Sequence, residues 1–101
     1  MKFVISNEAT RDLEKIWLYS SEKWSPQQAD IYLNFIFDEI ESICNDPKVG
    51  QDYNWIRNGY FRLRVKSHFI FYRLNNIQNE VEIIRILHQR MDIESRLEDE
   101  T

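Results

Sequence analysis

Tyr60-Phe61-Arg62-Leu63-Arg64-Val65-Lys66 is where the chain changes its period. Phe61, Leu63 and Val65 alternate with Arg62, Arg64 and Lys66, which puts apolar and cationic side chains on opposite sides of an extended backbone, the pattern of a half-buried strand. Downstream the extended character persists. Phe69 to Leu74 reads as a second strand and Glu80 to His88 as a third, with Asn75-Asn76 opening the turn between them. Upstream the period is helical. Ala9, Leu13, Ile16, Trp17 and Ser20 recur three and four apart, so a first helix, capped by Ser6 or Asn7, runs to about Lys23.

Trp24-Ser25-Pro26-Gln27-Gln28 restarts the helical pattern, with Ser25 as N-cap, Pro26 at the first helical position and Gln28 at the third. Ala29, Tyr32, Leu33, Ile36, Ile40, Ile43 and Cys44 then form one apolar stripe. Asp46-Pro47 stops it, because proline disfavours a helical conformation in the residue before it. Lys2 to Ile5 is β-branched and aromatic, a first strand. Residues 47–59 read as a loop with a short strand near Trp55 and Ile56, and residues 91–97 as a short helix. The expected fold class is α+β. An N-terminal strand precedes a helical hairpin and a three-stranded antiparallel meander, with the hairpin on one face of the sheet and the other face incompletely covered. The expected organisation is one domain over 1–97 and a disordered tail at 98–101.

Of the 101 residues, 43% are hydrophobic and 14% aromatic, enough for a packed core and against disorder. No run of about 18 apolar residues occurs, so no membrane partner is expected. The single cysteine, Cys44, rules out an internal disulfide and a cysteine-based metal site within one chain, and it reads as a small buried hydrophobe. These features fit a cytoplasmic location. The net charge of −4 is unevenly spread. Residues 1–58 carry six basic against ten acidic side chains, residues 59–92 six against three, and residues 93–101 one against four. Direct sequence-specific nucleic-acid binding is not expected of such a chain, but its basic part can receive an acidic partner. With only two glycines it has no phosphate-binding loop, and no metal or cofactor is expected.

The segment Arg85-Ile86-Leu87-His88-Gln89-Arg90-Met91-Asp92 resembles the end of the last strand in ParE-type toxins of the ParE/RelE superfamily. Asp12 to Tyr19 is similar to that family's first helix, Gln28-Ala29-Asp30-Ile31-Tyr32 to the start of its second, and Asp46-Pro47-Lys48-Val49-Gly50 to the loop that follows. Arg57-Asn58-Gly59-Tyr60 and His68 to Arg73 resemble its strand signatures. The resemblance implies the toxin of a type II toxin–antitoxin system. Such a toxin inhibits DNA gyrase without chemistry of its own and is neutralised by a cognate antitoxin in a hetero-oligomer. It points to Arg85, His88, Arg90, Met91 and Asp92 as target-binding residues. The related RelE branch cuts messenger RNA on the ribosome. Its usual tyrosine in the C-terminal segment has no counterpart here, since no tyrosine follows Tyr72. A third reading is a non-toxic binding member of the family.

For the ribonuclease alternative the candidate residues are His68, His88, Arg64 and Arg90, since imidazole titrates near neutrality and arginine stabilises phosphate. Pairing Leu74 with Val81 would set His68 opposite Leu87, one residue from His88, and Arg73 opposite Glu82. Arg62, Arg64 and Lys66, on one strand face, and Arg73 are candidates for an acidic antitoxin segment. Arg85 interrupts the apolar run Ile83-Ile84-Arg85-Ile86-Leu87 and must be paired or solvated; Glu14, Asp38 and Glu39 are its candidate partners. Trp17, Tyr32, Phe35, Phe61, Phe69 and Phe71 are assigned to the core.

Overall fold

Both long helices begin where their capping residues stand. The Ser6 hydroxyl accepts from the Ala9 N–H at 3.0 Å and opens α1 (Asn7–Lys23). Ser25 accepts from the Gln28 N–H at 3.1 Å, with Pro26 as the first residue of α2 (Pro26–Asn45). Each such cap is worth about 1 kcal/mol. Ser6 also joins the helix to the sheet, donating its N–H to the Ile83 carbonyl and its hydroxyl to the Ile84 carbonyl.

The computed structural model describes residues 1–98. Its strands are β1 (Lys2–Ile5), β2 (Gln51–Asp52), β3 (Tyr60–Val65), β4 (His68–Asn75) and β5 (Glu80–His88), and α3 (Ile93–Glu98) closes the described chain. Glu98, expected in the tail, belongs to α3; residues 99–101 of that tail lie outside the described residues. The sheet order is β1-β5-β4-β3-β2. β3, β4 and β5 form the expected antiparallel meander, and β1 lies parallel to β5. The short strand expected near Trp55 falls instead at Gln51–Asp52, opposite Arg62 and Phe61. Trp55 and Ile56 are inside a turn, because the Tyr53 carbonyl accepts from the Ile56 and Arg57 N–H groups and Asp52 Oδ1 from the Asn54 N–H. Gly59, at φ +81°, ends that turn in the left-handed region where a side chain is strained.

The β4–β5 register needs one correction. Leu74 faces Val81 and Arg73 faces Glu82 as expected, but an irregularity at Phe71/Tyr72 leaves Ile84 unpaired, so His68 faces His88 and not Leu87. An extra residue on one strand shifts everything beyond it by one position.

The helical hairpin covers one face of the sheet. Ala9, Leu13 and Ile16 of α1 and Ile36, Ile40 and Ile43 of α2 pack on Val65, Ile70, Tyr72, Val81, Ile83 and Ile86. The opposite face carries a second, smaller core: Tyr53 from the loop and Leu97 from α3 close over Tyr60, Phe71, Ile84 and Leu87. Arg64, Arg73 and Val4 remain exposed beside it. Among the aromatics assigned to the interior, Phe71 is fully buried and Tyr32, Phe61 and Phe69 are partly buried in these cores. Trp17, half-buried, donates its indole N–H to Asp30. Phe35 is not core: it is 42% exposed. It sits on a flank of α2 turned away from the buried stripe, a distinction of about a quarter turn that a periodic count does not resolve.

Candidate functional site

β5 outruns its neighbour. Its pairing with β1 ends at Ile5–Ile83, and beyond that point α1 lies beside it. Asp12, on the buried face of α1, fastens the two together. Its Oδ2 accepts from Arg85 Nε at 2.8 Å and from the Ile86 N–H at 3.0 Å, and its Oδ1 accepts from Arg85 Nη2 at 3.0 Å. Both side chains are about nine-tenths buried, so this is a forked, desolvated ion pair. Glu14, Asp38 and Glu39, the expected partners of Arg85, do not hold it. The bulge at Ile84 and the ladder ending at Ile83 bring Arg85 to the first half of α1.

Past this fastening the second half of α1 and the end of β5 bound a groove of about 460 Å³. Its lining takes Ile16 and Tyr19 from α1, Trp24 from the hairpin turn, Tyr32 from α2, His68 from β4, and Ile86, His88 and Met91 from the end of β5 and just beyond. Lys15, Lys23 and Arg90 also line it. Lys23 lies over the Tyr19 and Trp24 rings at 5.5 and 5.2 Å. Tyr19 is 60% and Trp24 57% exposed, large aromatic surfaces that water meets in the free chain. A preformed apolar concavity edged by cations suits an amphipathic, acidic binding partner.

The two histidines meet in the groove lining, with ring centroids 5.1 Å apart and planes at 86°. His68 Nδ1 lies 2.7 Å from Tyr32 Oη, which is 3.2 Å from Ser67 Oγ. Burial first, and then the neighbouring His88, push the His68 pKa from 6.5 down to about 4, against the opposing pull of Asp12. His68 is therefore neutral at neutral pH. The Arg90 N–H donates to His88 Nδ1 at 3.1 Å, so neutral His88 carries its proton on Nε2. For the ribonuclease alternative the pair is poorly tuned, since a base with a pKa near 4 has little proton-abstracting power at pH 7. Arg64, another candidate for that chemistry, lies on β3, donating Nε to the Lys66 carbonyl at 3.0 Å.

The five expected target-binding residues divide. His88, Arg90 and Met91 line the groove. Arg85 lies behind it in the pair with Asp12, and Asp92 stands before α3, its carbonyl accepting from the Arg96 N–H. The four expected antitoxin-binding residues divide as well. Lys66 is not on the strand face of Arg62 and Arg64. It occupies the β3–β4 turn at φ +55°, and its ammonium sits 4.4 Å from the Phe35 ring centroid, on the helical side. Arg62 lies between the Tyr53 and Phe69 rings, 4.8 and 4.5 Å away, and donates to Gln51. Arg73 pairs with Glu82 at 2.5 Å. Lys15, Tyr19 and Lys23 were missed, although their spacing of four along α1 places them on one helical face. Cys44 is half-buried with its thiol pKa raised by burial, so it stays protonated. Among the described residues no group of three or more His, Cys, Asp or Glu side chains is placed to hold a metal ion. No helix among them is long and apolar enough to cross a membrane.

A two-helix layer on an antiparallel meander, with a groove at its flank, defines a small α+β protein of the ParE/RelE type. A family model described as ParE toxin of the type II toxin–antitoxin system parDE matches residues 3–93. Toxin ParE1 of Caulobacter vibrioides is 40% identical over 93 residues, covering 92% of this chain and 94% of that protein. Toxin ParE1 of Mycobacterium tuberculosis is 33% identical over 96 residues, covering 95% and 97%. The chain thus belongs to the ParE toxin family of type II toxin–antitoxin systems. Solved structures agree on the fold. A chain of the chromosomal ParDE system from P. aeruginosa superposes with a TM-score of 0.75 at 18% identity, covering 87% of this chain and 95% of that one. The YoeB/ParE toxin from Agrobacterium tumefaciens gives 0.66 at 20% identity, covering 87% and 98%.

Proposed function

We propose that this protein is a toxin that inhibits DNA gyrase by binding, and that a cognate antitoxin neutralises it by filling the groove between α1 and the end of β5. The observation that carries this reading is the groove itself, already open in the free chain, apolar within and lined by Lys15, Lys23 and Arg90. His88, Arg90 and Met91 are the residues assigned to the target, and they line the same groove, so an antitoxin seated there masks them. Inhibition by binding requires a higher affinity for one state of the topoisomerase than for the others. The direct test is a supercoiling assay with purified gyrase. The free protein is expected to block supercoiling, and the protein mixed with its antitoxin is not. Unimpeded supercoiling at a large excess of free protein refutes the gyrase assignment.

A second reading, ribosome-dependent messenger RNA cleavage, draws on the facing His68 and His88. It ranks second because His68 is a weak base. Cleavage of ribosome-bound messenger that disappears in His88→Ala would promote it.

A further inference from the structure

A second, smaller cleft adjoins the groove. It has a volume of about 240 Å³ and is lined by Trp24, Gln28, Ile31, Tyr32 and Phe35. Trp24 and Tyr32 line both concavities, so the two share a wall at the tip of the helical hairpin. Gln28, Ile31 and Phe35 fall three and four apart along α2 and form one stripe. Ile31 is 46% and Phe35 42% exposed, on a flank that the chain's own core leaves uncovered. Trp24 and Tyr32 thus connect the concavity that Met91 lines to the one that Phe35 lines.

Cations flank it at both ends. Lys15, Lys23 and Arg90 line the first concavity, and the Lys66 ammonium, in the β3–β4 turn, lies 4.4 Å from the ring centroid of Phe35, which lines the second. Further along α2 the flank changes sign at Asp38 and Glu39, so the cationic stretch ends at Phe35. From this we infer that the α2 cleft is a second seat for the same acidic antitoxin chain. One amphipathic segment occupies the groove, passes over the Trp24 tip, and places a further apolar side chain between Ile31 and Phe35 with an acidic side chain beside Lys66.

This inference rests on the proposal that the groove is the antitoxin's seat, and the test separates the two. The probe is the antitoxin encoded in the reading frame adjacent to this chain's, titrated into the purified full-length protein. Ile31→Glu with Phe35→Glu is expected to weaken binding by roughly thirtyfold or more, the effect of losing a well-packed anchor. Both residues are exposed, so its unfolding midpoint and its inhibition of gyrase should match the parent protein's. Lys66→Glu offers an arm with no apolar change: a loss of roughly fivefold, with a shallower dependence on salt. Met91→Glu in the groove is the reference. If Met91→Glu weakens binding while both α2-cleft variants bind within twofold of the parent, the second seat is overturned and the groove reading stands. If Met91→Glu also binds normally, the groove reading falls and takes the second seat with it.

Discussion

At the scale of single residues, the Asp12–Arg85 pair is the strongest commitment in the molecule. Two charges removed from water are tolerated only because the fork is complete and a backbone N–H takes up the remaining demand of Asp12. Asp12→Ala removes the forked carboxylate from the buried guanidinium and the acceptor from the Ile86 N–H, and is expected to cost about 3–5 kcal/mol by urea unfolding. Asp12→Ala with Arg85→Met should recover part of that loss, because the buried cation that faced Asp12 is removed with it. His68 gives a second expectation. The unfolded chain takes up its proton near pH 6.5, whereas the folded chain resists until about pH 4. The unfolded state thus binds more protons between those values, and stability falls as pH is lowered through that window and is insensitive to this group above it. After solvent screening of a partly exposed ring the effect is of the order of 1 kcal/mol, several degrees of Tm in a chain of this length. His68→Gln, which can still bond Tyr32, should flatten the pH profile between 6.5 and 4. An unchanged slope would assign it to other groups.

At the scale of elements, the strands and helices were legible because each has a local cause. Ser25-Pro26 opens α2, Asp46-Pro47 closes it, and the alternation from Phe61 to Val65 admits only a strand. What stayed hidden was created by contacts between elements. The one-residue bulge at Ile84 has no glycine to announce it, yet it decides that His68 meets His88. Arg85 was legible as a charge needing a partner, but choosing Asp12 over Glu14 required knowing where β1 ends. Gly50 shows the same limit. It reads as an ordinary loop glycine, but its N–H donates to Tyr72 Oη at 3.0 Å, and a Cβ there would lie 2.4 Å from that oxygen and 2.9 Å from the Arg62 carbonyl. Tyr72 is fully buried and donates to the Pro47 carbonyl, so it has no room to retreat. Gly50→Ala is expected to destabilise the protein by about 1–3 kcal/mol, read as a lower urea midpoint with an unchanged denaturant slope.

At the scale of the whole molecule, the chain is short for the surface it leaves wet. A domain of about a hundred residues buries a modest fraction of its area, and here Tyr19, Trp24, Ile31, Phe35 and Met91 are each more than two-fifths exposed. In the antitoxin-bound form proposed for this chain, covering those side chains couples partner binding to stability. A ligand that binds only the folded state at a thousand times its Kd adds about 4 kcal/mol, which in a chain of this size corresponds to a Tm rise of roughly 15–30 °C. The antitoxin complex should therefore melt far above the free protein, and the gain should shrink as salt screens Lys15, Lys23, Arg90 and Lys66. Arg62→Glu with Arg64→Glu, on the opposite side of the sheet, should leave the gain within a few degrees of the parent's, because those arginines lie away from both concavities. Met91→Glu should remove most of it. A complex whose added stability disappeared with the sheet arginines and survived Met91→Glu would move the antitoxin from the helical flank to the sheet face.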